Sequence, residues 1–288
     1  MRPLLLFLAL TCTFFSCDLI NPDEEEPAYV GFDDYIMQTN ASQGTASENI
    51  TELWLYINDN ILGVYDAPAE VPVLEKGTVK VSCYPGIRNN GNSTTRIRYP
   101  FYTNYDTIIS LSALQTHKIN PRFTYRPDIT IDFTRNFESG NSFASFGNNQ
   151  GLFSLTADEN KVFEGDKSGY ITLGSGQSYL HFKDNNLIQL ESGNTIFLEM
   201  NYSCNNSFVI GVYTTDGGNT QKNPVITLVP TTSDINGTPT WNKIYIDLGA
   251  LALANPGADF HELYIEGSRF ESTNPQIFLD NLKLVRWT

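Results

Sequence analysis

The sequence predicts an all-β chain built as two sandwich domains, and three observations predict it. Apolar residues recur at every second position. Leu53, Leu55 and Ile57 alternate with Trp54, Tyr56 and Asn58. Ile196, Leu198, Met200 and Tyr202 alternate with Phe197, Glu199 and Asn201, and Ile244, Ile246 and Leu248 alternate with Tyr245 and Asp247. A spacing of two places such side chains on one face of a strand, whereas a helix needs three and four. Each run is also short and bounded by Asn, Gly, Asp or Pro, the residues that turns demand. The one segment that reads as helical is Gly249 to Ala254, and Pro256-Gly257 stops it.

Composition agrees with this reading and narrows the partners. The 288 residues are 41% hydrophobic and 12% aromatic, enough for two modest cores. Against 32 Asp and Glu stand 18 Lys and Arg, a net charge of −14, which excludes nucleic acid because phosphate binding needs a basic surface. Three His and four Cys leave little material for a zinc site.

Residues 1–16 read as a secretory signal peptide. Arg2 supplies the positive start and Leu4 to Leu10 the apolar run, which is shorter than the roughly 20 residues a spanning helix needs. Cys17 directly after Ser16 resembles a bacterial lipobox, with Phe14 where a Leu is usual. The resemblance implies cleavage before Cys17, loss of Cys12 with the peptide, and a diacylglyceryl group on the Cys17 thiol. At about 0.8 kcal/mol per buried CH₂, two or three acyl chains hold a protein at a membrane where one does not.

Residues 17–27 continue as an acidic tether, with Asp18 and then Asp23, Glu24, Glu25 and Glu26 between Pro22 and Pro27. Such a run cannot pack a core. An acidic cluster behind a lipidated Cys resembles the surface-export signal of Bacteroidota lipoproteins, which implies an outer-membrane, surface-exposed protein. Without the signal peptide the chain has 17 bases and 32 acids, or −15. Without those five acids as well it has 27 acids, leaving −10 for the folded body.

The first domain is expected over residues 28–127, closing at Pro127. Glu52 to Ile57 and Ile61 onward form a hairpin around Asn58-Asp59-Asn60, residues that tolerate left-handed backbone angles. Together with Ala69-Glu70-Val71-Pro72-Val73-Leu74-Glu75-Lys76-Gly77-Thr78-Val79-Lys80-Val81, this segment resembles the PEGA-type module. The resemblance implies an immunoglobulin-like sandwich used as a spacer or interaction module, with no catalytic residues.

The second domain is expected over residues 128–288. Phe137-Glu138-Ser139-Gly140, Val162 to Ile171 (VFEGDKSGYI), Trp241 to Leu248 (WNKIYIDL) and Ile277 to Leu284 (IFLDNLKL) resemble, in that order, the strand signatures of galactose-binding-like jelly-roll domains common among carbohydrate-binding modules. The resemblance implies a jelly-roll β-sandwich. It also implies a structural Ca²⁺ with Glu138 as the opening acid and Asp280 as the closing one, since calcium takes six to eight oxygen ligands.

On the strands just named, the residues opposite the core are Glu199, Asn201, Tyr245, Asp247, Tyr264 and Glu266. If they share one sheet, its outer face is aromatic and acidic. That mixture suits sugar, with rings stacking on apolar sugar faces and carboxylates taking hydroxyl pairs. A polar outer face of an ordinary sandwich predicts the same pattern. Trp241 opens a core strand and is expected to be buried.

Hydrolysis is the minor alternative. A glycosidase needs two carboxylates about 5–9.5 Å apart, which Glu199 with Asp247 or Glu266 could supply, but the closely spaced acidic strand of jelly-roll glycosidases is absent. No G-x-S-x-G or H-E-x-x-H occurs, and His117, His181 and His261 stand singly. Cys83 and Cys204 fall in different domains and read as buried free thiols. The expectation is therefore a non-enzymatic cell-envelope lipoprotein whose jelly roll binds glycan. The rival is an assembly lipoprotein that contacts other envelope proteins through Trp54, Tyr56 and the sandwich edges.

Overall fold

The computed structural model describes residues 24–231, 238–270 and 274–288, and over them the chain is all-β apart from the short helix Gly249–Ala254. The signal peptide 1–16, Cys17 and tether residues 18–23 lie outside the described residues. Among the described residues no helix is long and apolar enough to cross a membrane.

Every strand ladder joins strands within 28–124 or within 129–287. In the first set, Asn60–Tyr65, Glu52–Ile57 and Gly77–Arg88 run side by side. Arg96–Arg98 and Tyr105–Leu111 both pair with the long Gly77–Arg88 strand, which completes a five-stranded sheet. Its hairpin turns at Asn58 and Asp59 with φ of 48° and 65°, the left-handed pair that a tight turn between twisted strands requires. Ala69–Val73, Ala28–Phe32 and Thr116–Lys118 form a second layer. Leu53, Leu55, Ile57, Val79 and Val81 share a core with Val30, Phe32, Val71 and Val73 between the layers.

The second set forms a two-sheet sandwich. The near sheet, which faces the first domain, orders Leu152–Thr156, Ser168–Thr172, Gln276–Trp287, Ile196–Cys204 and Asn242–Asp247, with Ile129–Arg135 also on Gln276–Trp287. The far sheet orders Phe143–Ser145, Tyr179–Asp184, Phe260–Ser268, Phe208–Asp216 and Asn219–Leu228. Between them pack Ile171, Leu180, Leu198, Met200, Ile210, Val212, Ile246, Leu263, Ile265 and Leu284. Cys83 and Cys204 are buried free thiols, not joined in a disulfide, and burial pushes both up to about 12.

His261 is buried on Phe260–Ser268, and neither ring nitrogen makes a hydrogen bond. Burial holds its pKa below the ordinary 6.5, with the Ile188 carbonyl acting weakly the other way. A lowered folded value means the unfolded chain binds the proton more tightly, so this contribution is complete above 6.5 and is lost as pH falls. Asp280 slopes oppositely, because burial raises its carboxyl to about 7. Comparing urea stabilities of wild type and His261→Leu cancels the Asp280 slope. The difference should shift toward the variant between about pH 7.5 and 5.5; a difference flat with pH would refute the assignment.

Candidate functional site

The structure divides the six residues read as one sugar face. Glu199, Asn201, Tyr245 and Asp247 lie on the near sheet, while Tyr264 and Glu266 lie on the far sheet. The expectation of a single face is therefore corrected. The alternation itself is right, since Ile196, Leu198 and Met200 do face the core. What lies opposite them is the first domain rather than solvent, and all nine residues of Ile196–Cys204 are buried.

Glu199 is sealed at that junction. Its two carboxylate oxygens accept the hydroxyls of Tyr99 and Tyr125, each at 2.7 Å, and Lys243 Nζ lies 2.7 Å from Oε2. Lys243 and Lys283 also donate to the carbonyls of Ser47 and Thr45, at 2.9 and 2.7 Å. Burial pulls the Glu199 pKa upward, but the two ammonium groups and these hydrogen bonds outweigh it and hold the value below the ordinary one. Lys283 is pulled down to about 8 by its burial. Asn201 donates to Ser47 Oγ, and the Tyr245 hydroxyl accepts the Asn49 amide at 3.0 Å beside Tyr102. Asp247 accepts the Gly249 amide at the helix start. Glu199, Asn201 and Tyr245 join the domains and are closed off from a saccharide, while the side chain of Asp247, half-buried, serves its own domain.

The far sheet presents the aromatic face. Register places Lys183 and Gly211 on either side of Tyr264, His181 beside Glu266, and Tyr213 beside Glu262. Tyr264 lies flat across Gly211, where a Cβ would stand 2.2 Å from its ring Cζ. Around it the rings close up: Tyr213 at 5.0 Å, His181 at 5.6 Å, and Phe146 at 5.2 Å from His181 and 5.4 Å from Tyr213. Tyr264 itself is fully buried under Lys222, whose Nζ sits 5.2 Å from the ring centroid, while Phe146 stays 38% exposed.

A hydrogen-bond chain runs through this face. Lys222 Nζ meets Glu266 Oε2 at 2.6 Å, and the Tyr179 hydroxyl donates to Glu266 Oε1 at 2.6 Å. Because that proton goes to Glu266, the Tyr179 oxygen accepts from His181 Nδ1–H at 3.1 Å, and His181 Nε2 accepts the Tyr213 hydroxyl at 3.2 Å. Burial keeps the imidazole pKa low, with Glu266 raising it and Lys222 lowering it, so the neutral form fits. Burial raises Glu266, but hydrogen bonds from Lys222 and Tyr179 hold it below its ordinary value. Lys183 pairs with Glu262 at 2.8 Å and sits 4.8 Å from the Phe146 ring.

Tyr179, Tyr213, Phe146, Lys183, Lys222 and Glu262 are not singled out by the sequence. For Tyr179, Lys183 and Tyr213 the available signal is the same two-residue alternation, on Tyr179-x-His181-x-Lys183 and Gly211-x-Tyr213. His181, read there as a solitary histidine, is the centre of the chain.

Glu138 and Asp280, the residues expected at a structural Ca²⁺, each accept hydrogen bonds from protein groups. Glu138 Oε1 accepts the amides of Asp166 and Lys167, at 2.9 and 3.1 Å. Asp280 accepts the Ser168 hydroxyl at 2.6 Å and the Asn281 amide at 2.8 Å, at a bulge where Asn281 has φ of 50°. Among the described residues no three His, Cys, Asp or Glu converge on a metal position. Trp241 is half-buried, packed on Phe163 at 5.2 Å and Phe278 at 6.3 Å.

No protein-family model and no curated protein matches the chain. Similar solved backbones include the CBM22-1 xylan-binding domain of Paenibacillus barcinonensis Xyn10C, with 14% identity and a TM-score of 0.40 over 55% of this chain and 96% of that one. A carbohydrate-binding module of the β-sandwich superfamily matches with 15% identity and a TM-score of 0.40, over 81% of this chain and 84% of that one. The family 11 carbohydrate-binding module of the Clostridium thermocellum cellulase Lic26A-Cel5E matches with 10% identity and a TM-score of 0.38, over 54% and 94%. At this distance the likeness bears on neither ligand nor activity.

Proposed function

We propose that the chain is a non-enzymatic cell-envelope lipoprotein, held at the outer membrane through acylated Cys17, whose second domain binds glycan on the far sheet. The observation that carries the ligand class is the cluster of Phe146, Tyr213, Tyr264, Tyr179 and His181 on one sheet face, flanked by the paired charges Lys183–Glu262 and Lys222–Glu266. Phe146 is the exposed ring and Tyr179 is half-buried, over a floor of buried Tyr213, His181 and Tyr264; an exposed ring matches the apolar face of a sugar, and the charged side chains offer donors and acceptors to hydroxyls. Both lysines already face carboxylates, which favours a neutral saccharide over an acidic one. The lipid anchor rests on the Ser16-Cys17 pattern and the acidic run after it.

Two features support a binder over a hydrolase. Glu262 and Glu266 lie four residues apart on one strand, about 13 Å along it, beyond the roughly 5–9.5 Å that glycoside hydrolysis requires. Each is also tied to a lysine. Affinity electrophoresis of the full chain through neutral polysaccharides tests the reading. Wild type should be retarded by at least one of them. Tyr213→Ala removes a nearly buried ring packed 5.4 Å from the exposed Phe146, and losing that support should lower affinity about tenfold or more, the 1.4 kcal/mol scale of one ring contact. Tyr245→Phe, at the domain junction, should bind like wild type. Retardation unchanged in Tyr213→Ala, or none on any polysaccharide, would overturn it.

A further inference from the structure

The outer face of the first domain's five-stranded sheet carries a second, differently charged surface. Trp54 stands directly opposite Tyr84, and Tyr56 packs against Tyr84 with ring centroids 5.2 Å apart. On one side the neighbouring strand brings Val64 opposite Trp54 and Ile61 opposite Tyr56, both exposed. On the other side Arg98 lies opposite Gly86, with Arg96 opposite Arg88 on the same strand pair. Ile108, 73% exposed, pairs with Lys80 below Tyr84. With strands about 4.8 Å apart, the face passes from aliphatic through aromatic to cationic over roughly 14 Å.

Arg98 is the centre of this surface. Its guanidinium sits 4.9 Å from the Tyr84 centroid and 6.0 Å from both Trp54 and Tyr56. Its polar contact is the Tyr56 hydroxyl at 3.5 Å. Among the described residues neither Arg98 nor the exposed Arg88 forms an ion pair. The carboxylates nearby are mostly committed. Asp59 holds Lys80 at 2.9 Å, and Asp66 and Glu52 lie 3.6 and 3.9 Å from Arg96, which leaves Asp106 opposite Ser82. In a chain of net charge −14 this is a local excess of unpaired arginine.

We propose that this face docks an acidic segment of a partner protein, with a carboxylate seated on Arg98 and apolar side chains covering Ile61, Val64 and Ile108. Trp, Tyr and Arg together form the residue set in which interface energy concentrates. A guanidinium stacked on rings keeps its edge donors for bidentate capture of a carboxylate. A saccharide fits less well, because Arg98 already occupies the ring face that a sugar would stack on, and a sugar brings no aliphatic groups to cover Ile108. The inference stands apart from the glycan reading, which concerns the other domain and a face whose lysines are paired.

The test places a photo-crosslinking amino acid at Ile108, and separately at Val64, in the full chain expressed in its own cells. The expected product is a protein adduct whose crosslinked segment carries Asp or Glu. Its yield should fall tenfold or more in Arg98→Gln, fall less in Arg98→Lys, and stay unchanged in Tyr213→Ala, which addresses the glycan face alone. Arg98 is exposed, so both of its variants are expected to fold, and unchanged migration in urea gradients verifies this. No adduct, a crosslinked segment without carboxylates, a saccharide adduct, or a yield indifferent to Arg98→Gln would each overturn the proposal.

Discussion

Glu199→Gln is expected to lower unfolding free energy by about 3–5 kcal/mol, the cost of stripping a buried ion pair of one partner. The substitution keeps the shape, so little packing is lost. Its amide nitrogen takes the place of one acceptor oxygen, so one of the two tyrosine hydroxyls must turn from donating to accepting. The larger change is charge. Lys243 loses the carboxylate 2.7 Å away, and Lys283 loses the larger of its two favourable charge interactions and retains the weaker one with Glu164. Both ammonium groups are nearly inaccessible to water, and their remaining acceptors are the carbonyls of Ser47 and Thr45. Those two carbonyls belong to the first domain, so the loss should appear as a single transition weakened at the junction. Urea denaturation followed by fluorescence measures it. Adding Lys243→Met to Glu199→Gln should restore part of the stability, because a neutral chain no longer needs a counter-charge. A loss under about 1 kcal/mol, with no recovery in the double variant, would mean that water reaches the cluster and screens it.

This junction also shows how much the sequence could reveal. Period-two alternation identified which face of Ile196–Cys204 and Asn242–Asp247 turns away from the core, and the structure agrees residue by residue. Alternation is a local property of one strand, however, and does not report what covers the second face. Glu199 and Glu266 look alike in sequence, each a carboxylate between apolar neighbours. One is sealed by tyrosines 74 and 100 residues earlier in the chain, and the other sits in a surface cluster. The assignment of both to one sheet failed for the same reason, since strand order across two sheets is set by non-local pairing. The Asn58–Asp59 turn and the Gly249–Ala254 helix were legible because their determinants lie within a few residues. His181 was not, because only Tyr179 is its neighbour on the strand, and Tyr213 and Phe146 reach it from other parts of the chain.

Gly211→Ala should damage the far face more than its size implies. Gly211 lies outside the left-handed region, so an added methyl meets no backbone strain, and any effect must be steric. The Cβ would stand 2.2 Å from Cζ, 2.3 Å from the hydroxyl and 2.4 Å from Cε1 of Tyr264. The ring cannot yield sideways, because Tyr213 and His181 flank it at 5.0 and 5.6 Å and Lys222 lies above it. It must lift off the sheet, breaking the Lys222–Glu266 cover and disordering the hydrogen bonds from Tyr179 to Tyr213. Overpacking of this kind costs about 1–3 kcal/mol. Glycan affinity should fall about tenfold or more as the platform loses its floor. The decisive measurement is the cycle with Tyr264→Ala. Once the ring is gone the methyl has nothing to strike, so Gly211→Ala should become nearly neutral in that background. If it destabilises both backgrounds equally, the glycine serves the backbone of Phe208–Asp216, and the flat tyrosine is not what requires it.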